Sequence, residues 1–128
     1  DPDLIMTTTL SSSVSLGAEL IGQFCARRPD LDAVFCNNDD MALGALFGCQ
    51  KAGLSVPDDI GIIGFNDLEM MAAAHPSLTS IRTDRYAIGR HAVEMIQSVL
   101  SGETPDKKIV DLGFELQVRQ STSRSAKA

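Results

Sequence analysis

The sequence predicts an α/β fold in which helices cover a parallel β-sheet, because strand-like and helix-like runs alternate along the chain. Two strand-like runs, residues 33–36 and 60–65, are continuously apolar, which is typical of strands buried on both faces. The run between them predicts a helix that starts after Asn38 and ends at Ala52, with Gly53 as its C-terminal stop. These segments together predict a β-α-β unit.

The remaining elements continue the alternation. Residues 4–9 are rich in β-branched side chains and predict a first strand, and Ser13 or Ser15 can cap the helix that follows and ends near Arg27. Further along, the sequence predicts a short helix at 68–74, an extended segment at 78–81, a long helix at 86–101, and terminal strands at 109–112 and 114–118. The predicted buried face of that last helix consists of Ile88, Ala92, Val93, Ile96 and Leu100.

Size and charge narrow the possible functions. A chain of 128 residues, 44% of them hydrophobic, fits one globular domain. The net charge is −6 and no predicted helix carries a Lys and Arg cluster, so this chain alone is not expected to bind nucleic acid. No apolar run reaches the ~20 residues of a membrane helix, and no membrane association is expected. Cys25, Cys36 and Cys49 lack CxxC spacing, which favours reduced thiols and a cytoplasmic setting.

Polar residues follow the predicted parallel strands at their C-terminal ends, where ligands bind in sheets of this kind. The segments concerned are 10–12, 37–40 and 66–68. Asp39 or Asp40 is predicted to cap the helix, a structural role, because a carboxylate accepts hydrogen bonds from the free N–H groups of the first turn. The preceding Asn side chains carry donors and an acceptor, and Asn66 repeats the pattern on the next strand. A shared small-molecule site is therefore predicted.

Acidic strand ends also occur in phosphorelay receiver domains and in magnesium-dependent phosphohydrolases. Those sites need carboxylates from separate strands around a metal, usually with a lysine nearby. Here Lys51 lies near the end of its predicted helix, and the sequence has no Gly-rich phosphate loop, GxSxG or HExxH motif. His75 and His91 stand alone in the sequence. We therefore expect no enzyme activity, no catalytic residue, no metal site and no cofactor.

The helix between the two apolar strands is apolar on nearly all sides. Such a helix must be buried on more than one face. A crowded core satisfies this requirement, and so does a dimer interface shared with Leu68, Met70 and Met71. The residues alone leave both alternatives open.

Four segments in their order along the chain resemble the effector-binding domain of the LacI/GalR family of bacterial transcriptional repressors. They are AVFCNNDDMALGAL (33–46), GLSVPDDIGIIGFND (53–67), HPSLTSIRTD (75–84) and IGRHAVEMIQSVLSG (88–102). DLGF at 111–114, together with DAVFCNNDD, looks most similar to the gluconate-repressor branch. The resemblance implies a periplasmic-binding-protein-like (type I) fold of two lobes, of which this chain covers mostly the C-terminal lobe. Residues 1–120 then form the C-terminal part of the effector-binding domain, with 83–105 crossing toward the first lobe and 121–128 as a polar tail.

The resemblance also implies particular residue roles. Asn38 and Asn66 fall on positions that usually touch the effector, and Ser12 and Thr83 fall on positions that often line the pocket. Family members commonly have Asp in place of Asn66, so the pocket loses a carboxylate and a sugar acid becomes more plausible than a neutral sugar. The family also implies a homodimer or higher oligomer, with a subunit contact near Leu43, Leu46, Met71 and Ala74.

The function that these features predict is an effector-sensing, dimerising domain of a cytoplasmic LacI-family regulator. The small-molecule effector would be a sugar or a sugar acid, and DNA would be bound only through an N-terminal helix-turn-helix outside this chain. The alternative is a periplasmic sugar-binding protein of a transporter. Because this chain is expected to supply only one wall of the pocket, we expect it to bind ligand weakly by itself.

Overall fold

Helices and strands alternate through the computed structural model, which describes residues 1–104 and 107–124. The elements are, in chain order, α1 (Val14–Arg27), β1 (Ala33–Phe35), α2 (Asp39–Lys51), β2 (Gly61–Phe65), α3 (Glu69–Ala73), β3 (Thr79–Arg82), α4 (Arg85–Leu100) and β4 (Glu115–Gln117). Two short 3-10 helices, Pro2–Leu4 and Gln120–Thr122, lie near the ends. The expected α/β fold is confirmed.

The four strands form one sheet in the order β1-β2-β3-β4. β1, β2 and β3 are parallel, with Phe35 opposite Ile63 and Phe65 opposite Ile81. β4 is antiparallel to β3 and places Leu116 opposite Ile81. Because the first three strands run in the same direction, the segments that follow them emerge at one edge of the sheet.

Helix α2 packs between α1 and the sheet and supplies much of the core. Leu46 on α2, Ile62 on β2 and Met71 on α3 are fully buried in one hydrophobic cluster. The two helices cross at very short range, because a Cβ at Gly44 would overlap the backbone of Val14 and Ala18. A crowded core thus accounts for the buried residues of α2, although Phe47 on the same helix is 48% exposed.

The N-terminal side of the sheet differs from what the sequence predicts. Residues 4–9 were expected to form a strand, but they are irregular after the first 3-10 helix. β1 was expected to be buried on both faces, yet Phe35 is 58% exposed. Both predictions were wrong for one reason: among the described residues β1 is the edge strand, and an open cavity separates it from residues 4–8.

Helix α4 lies at the predicted place, but its apolar face is not covered. None of its residues is buried, and Ile88, Ile96 and Leu100 are largely exposed. The expected buried face is therefore wrong within this chain, because no other described element packs closely on α4.

The C-terminal part is more closely packed, and less regular, than expected. Residues 109–112 form no strand, and the strand expected at 114–118 is limited to β4. Ser121 was placed at the start of a polar tail, but it is fully buried, and its hydroxyl donates to the Ile62 carbonyl at 2.6 Å. This hydrogen bond holds residue 121 on the sheet; residues 125–128 of the expected tail lie outside the described residues.

Candidate functional site

Three of the four residues that the sequence predicts to touch a ligand follow neighbouring parallel strands. Asn38 comes after β1, Asn66 directly after β2, and Thr83 directly after β3. All three are partly exposed. The sheet therefore places these polar side chains at one edge.

Asn38 caps helix α2. Its backbone is extended, and its side-chain Oδ1 accepts a hydrogen bond from the Met41 N–H at 3.0 Å. Asp39 or Asp40 was expected to be the cap, and that prediction was wrong, since both lie within the first turn of the helix. Capping uses the Asn38 side-chain oxygen and leaves its amide N–H₂ as a donor toward the sheet edge.

Asp39 instead makes contacts across the fold. Its side chain is fully buried; one carboxylate oxygen accepts from the Leu68 N–H at 2.6 Å and the other accepts from the Ser80 hydroxyl at 2.7 Å. A buried carboxylate needs such donors to offset its lost hydration, and the positive end of α2 adds to them. The expected structural role holds for Asp39, with a different geometry.

The loop after β2 has a left-handed backbone conformation that residues other than glycine rarely adopt. Asn66 has φ 110° and Asp67 has φ 54°. The Asn66 N–H donates to the Ile81 carbonyl at 2.8 Å, and the Asp67 N–H donates to the Ser80 hydroxyl oxygen at 3.1 Å. These bonds offset the cost of two consecutive left-handed residues and fix the direction in which Asn66 leaves the sheet.

Two arginines hold the Asp67 side chain. Arg82 donates through Nε to Oδ2 at 2.8 Å, and Arg119 Nη2 lies 2.7 Å from Oδ1 as an ion pair. Burial alone would raise the pKa of Asp67, but the Arg119 and Arg82 guanidinium groups outweigh it and lower the pKa below its ordinary value. Asp67 is therefore a charged residue that stabilises the loop. Its carboxylate is already bound by the two arginines and is not free to bind a ligand.

Ser12, the fourth predicted ligand residue, lies apart from the other three. It is exposed and lines a cavity of about 840 Å³ beside β1, together with Asn37. The rest of the lining is mainly apolar and comes from the N-terminal segment, α1 and β1; Asn38, Asn66 and Thr83 do not contribute to it. The described residues thus bring together three of the four predicted ligand residues.

The four residues predicted near a dimer interface divide into two pairs. Leu46 and Met71 are 1% and 0% exposed and belong to the core, and their place near a subunit contact stays a prediction. Leu43 and Ala74 are partly buried at the margin of the core, and their place in a subunit contact stays a prediction.

The thiols offer little chemistry. Burial raises the pKa of Cys36 to about 12 and that of Cys49 to about 11, and it also raises the pKa of Cys25. In the part of the chain that the structure describes, no three His, Cys, Asp or Glu side chains are grouped as a metal would require. None of the described helices combines the length and apolarity needed to cross a membrane.

Residues 5–122 match the model of the periplasmic binding protein-like domain family. This chain belongs to that family. The match covers helices α1 to α4 and all four strands, and it confirms the periplasmic-binding-protein-like fold that the resemblance implied.

Individual members of the periplasmic-binding-protein-like family extend this finding. The HTH-type transcriptional regulator GntR of Pseudomonas aeruginosa is 45% identical over 95% of this chain and 36% of its own length. The crystal structure of the transcription regulator GntR from Chromobacterium violaceum has a TM-score of 0.86 and 42% identity, over 95% of this chain and 45% of the other. The structure of the transcriptional regulator CelR in complex with cellobiose also has a TM-score of 0.86, with 29% identity over 94% of this chain and 36% of that one.

These relatives confirm the resemblance to LacI-family regulators, and the two proteins named GntR agree with the gluconate-repressor branch. The relatives are transcriptional regulators and not enzymes, as the sequence predicted. The chain spans about a third of the length of the curated relatives that it matches.

The sequence reasoning missed the residues that support the site. Ser80, Arg82 and Arg119 had no predicted role, and Asp67 was noted only as a polar strand end. A local signal did exist for the arginines, since each stands at or just beyond the end of a strand, where a cation can meet an acidic loop. Ser80 lies inside a strand and gave no such signal.

Proposed function

We propose that this chain is the effector-sensing part of a LacI-family transcriptional regulator and binds a small sugar or sugar acid at the edge of the sheet. The observation that carries the proposal is the placement of Asn38, Asn66 and Thr83 after three neighbouring parallel strands. Amide and hydroxyl groups at this position can donate to and accept from the hydroxyls of a sugar. The whole protein would be cytoplasmic and would bind DNA through a helix-turn-helix outside this chain.

A sugar acid suits this edge better than a neutral sugar. Asn66 is an amide and adds no negative charge, while the Asp67 carboxylate behind it is neutralised by Arg82 and Arg119. The Arg82 side chain is 51% exposed, which leaves part of a guanidinium close to the edge. An anionic ligand would therefore meet little repulsion there.

Calorimetric titration of the full-length protein with gluconate and with glucose tests this proposal. We expect gluconate to bind and the Asn66→Asp variant to bind it at least tenfold more weakly, because a carboxylate returns to the pocket. Gln97→Glu serves as a matched control, since it makes the same amide-to-carboxylate change at an exposed residue near the C-terminal end of α4, away from the sheet edge. Binding of glucose alone would overturn the choice of a sugar acid.

Dimerisation and the path of α4 belong to the same proposal. Leu43 on α2 and Ala74 at the end of α3 keep partly exposed surface, which a second subunit could cover. The exposed apolar face of α4, with Ile88 and Ile96, is consistent with segment 83–105 packing on a first lobe outside this chain. Sedimentation of the full-length protein tests the dimer, and a compact monomer at high concentration would count against it.

A further inference from the structure

The Asp39 carboxylate connects the two chain segments that carry the candidate ligand amides. Asp39 directly follows Asn38 in the chain, and it binds the backbone N–H of Leu68, two residues after Asn66. We propose that Asp39 is a positioning residue that fixes Asn38 and Asn66 relative to one another. The inference rests on the proposed function, since it concerns the same ligand-binding edge.

Three consecutive N–H groups tie the loop after β2 to its surroundings. The Asn66 N–H binds the Ile81 carbonyl, the Asp67 N–H binds Ser80 Oγ at 3.1 Å, and the Leu68 N–H binds Asp39 at 2.6 Å. The Ser80 hydroxyl itself donates to Asp39 at 2.7 Å. Two of the three ties therefore depend on the Asp39 carboxylate, one directly and one through Ser80.

The Asp39 carboxylate lies in a closely packed, buried site. Asp39 and Ser80 are both fully buried, and Gly64 on β2 faces them. A Cβ at Gly64 would overlap the Asp39 carboxylate and approach the Met71 side chain. The absence of a side chain at residue 64 thus makes room for the carboxylate.

A carboxylate is required because it offers only acceptors. Both of its oxygens are used, one by Leu68 and one by Ser80. An amide of the same shape has one acceptor and one N–H₂ group, so it cannot accept from both donors: it can keep the bond to Leu68 only as a neutral one, with the bond to Ser80 reversed in direction. Both bonds would then lose the charge of the carboxylate, and the ties to the loop would weaken while the packing volume stays the same.

The positioning role is tested by Asp39→Asn, Ser80→Ala and the control Asp40→Asn. Amide hydrogen exchange of the ligand-free protein is followed by NMR, with the Gly61 N–H, bonded to the Asp32 carbonyl at the other end of β2, as a reference for global opening. We expect Ser80→Ala to speed exchange at Asp67 at least tenfold relative to Gly61. Asp39→Asn should speed exchange at Leu68 at least tenfold relative to Gly61. Asp40→Asn should change neither the Asp67/Gly61 nor the Leu68/Gly61 ratio of exchange rates.

Gluconate titration of the same full-length variants gives the second measurement. We expect Asp39→Asn to weaken binding at least tenfold, Ser80→Ala to weaken it less, and Asp40→Asn not to weaken it. If the unmodified protein binds neither gluconate nor glucose, the proposed function fails, while the exchange ratios still test the positioning role. If Asp39→Asn lowers only global stability and leaves both the ratios and the affinity unchanged, the positioning role is overturned. Ser80→Ala provides the same decision should Asp39→Asn fail to fold.

Discussion

Arg119 and Asp67 form an ion pair at 2.7 Å, with side chains only 17% and 3% exposed, although 51 residues separate them in the sequence. Arg82 meets the same carboxylate at 2.7 Å, but its side chain is 51% exposed. One carboxylate therefore has a shielded partner and a solvent-facing partner. The two ion pairs have the same distance but differ in the exposure of the arginine. Comparing them therefore shows how burial, and not geometry, affects the stability that an ion pair contributes.

We expect Arg119→Met to destabilise the chain by about 3 kcal/mol, because it leaves a buried carboxylate with less compensation. It also removes the hydrogen bond that Arg119 donates to the Leu78 carbonyl at 2.7 Å. Arg82→Met, the matched control, should cost about 0–1 kcal/mol, as exposed ion pairs do. Urea unfolding measures both, and equal losses would show that burial of the pair is not what matters.

The lowered pKa of Asp67 predicts how stability depends on pH. Because the folded-state pKa lies below the unfolded value of about 3.9, the unfolded chain binds the proton more readily in acid. The contribution is thus fully present above pH ~5 and is lost as the pH falls through the folded-state pKa. We expect the free energy of unfolding to fall more steeply between pH 6 and pH 3 for the unmodified chain than for Asp67→Asn. Urea titrations at several pH values measure the two slopes, and parallel slopes would contradict the assignment.

The sequence predicted those elements whose signals are local. Helix α2 was expected to start just after Asn38 and end at Ala52, and it spans Asp39–Lys51, with Gly53 at φ 74°. The prediction that β1 is buried on both faces was wrong, because the burial of an edge strand depends on what lies beside it. The prediction that Asp39 or Asp40 caps α2 was wrong, because adjacent Asn and Asp residues have similar capping preferences. Only its contacts with Leu68 and Ser80, both distant in the sequence, show that Asp39 turns into the core.

Ser121 tests how firmly the C-terminal segment is attached to the sheet. Its hydroxyl donates to the Ile62 carbonyl at 2.6 Å and accepts from the Thr79 N–H at 2.8 Å, in a fully buried position. Ser121→Ala leaves both groups without this partner and should cost about 1–3 kcal/mol. Ser123→Ala removes an exposed hydroxyl bonded to the Arg119 carbonyl and should cost less than about 0.5 kcal/mol. Thermal and urea unfolding compare them, and a neutral Ser121→Ala would mean that the segment is held mainly by other contacts.

Alanine substitutions at two helical glycines are predicted to change the stability of the chain in opposite directions. At Gly44 a Cβ would overlap the Val14 carbonyl and the Ala18 backbone, neither of which can rotate away as a side chain could. Gly44→Ala should therefore separate α1 from α2 and destabilise the chain by about 1–2 kcal/mol, even though alanine favours helix. At Gly22 on α1 nothing lies within 4 Å of the added Cβ, so Gly22→Ala should stabilise by about 0.5–1 kcal/mol. Urea unfolding of both variants measures the difference, and stabilisation by Gly44→Ala would mean that the helices do not cross as closely as the structure places them.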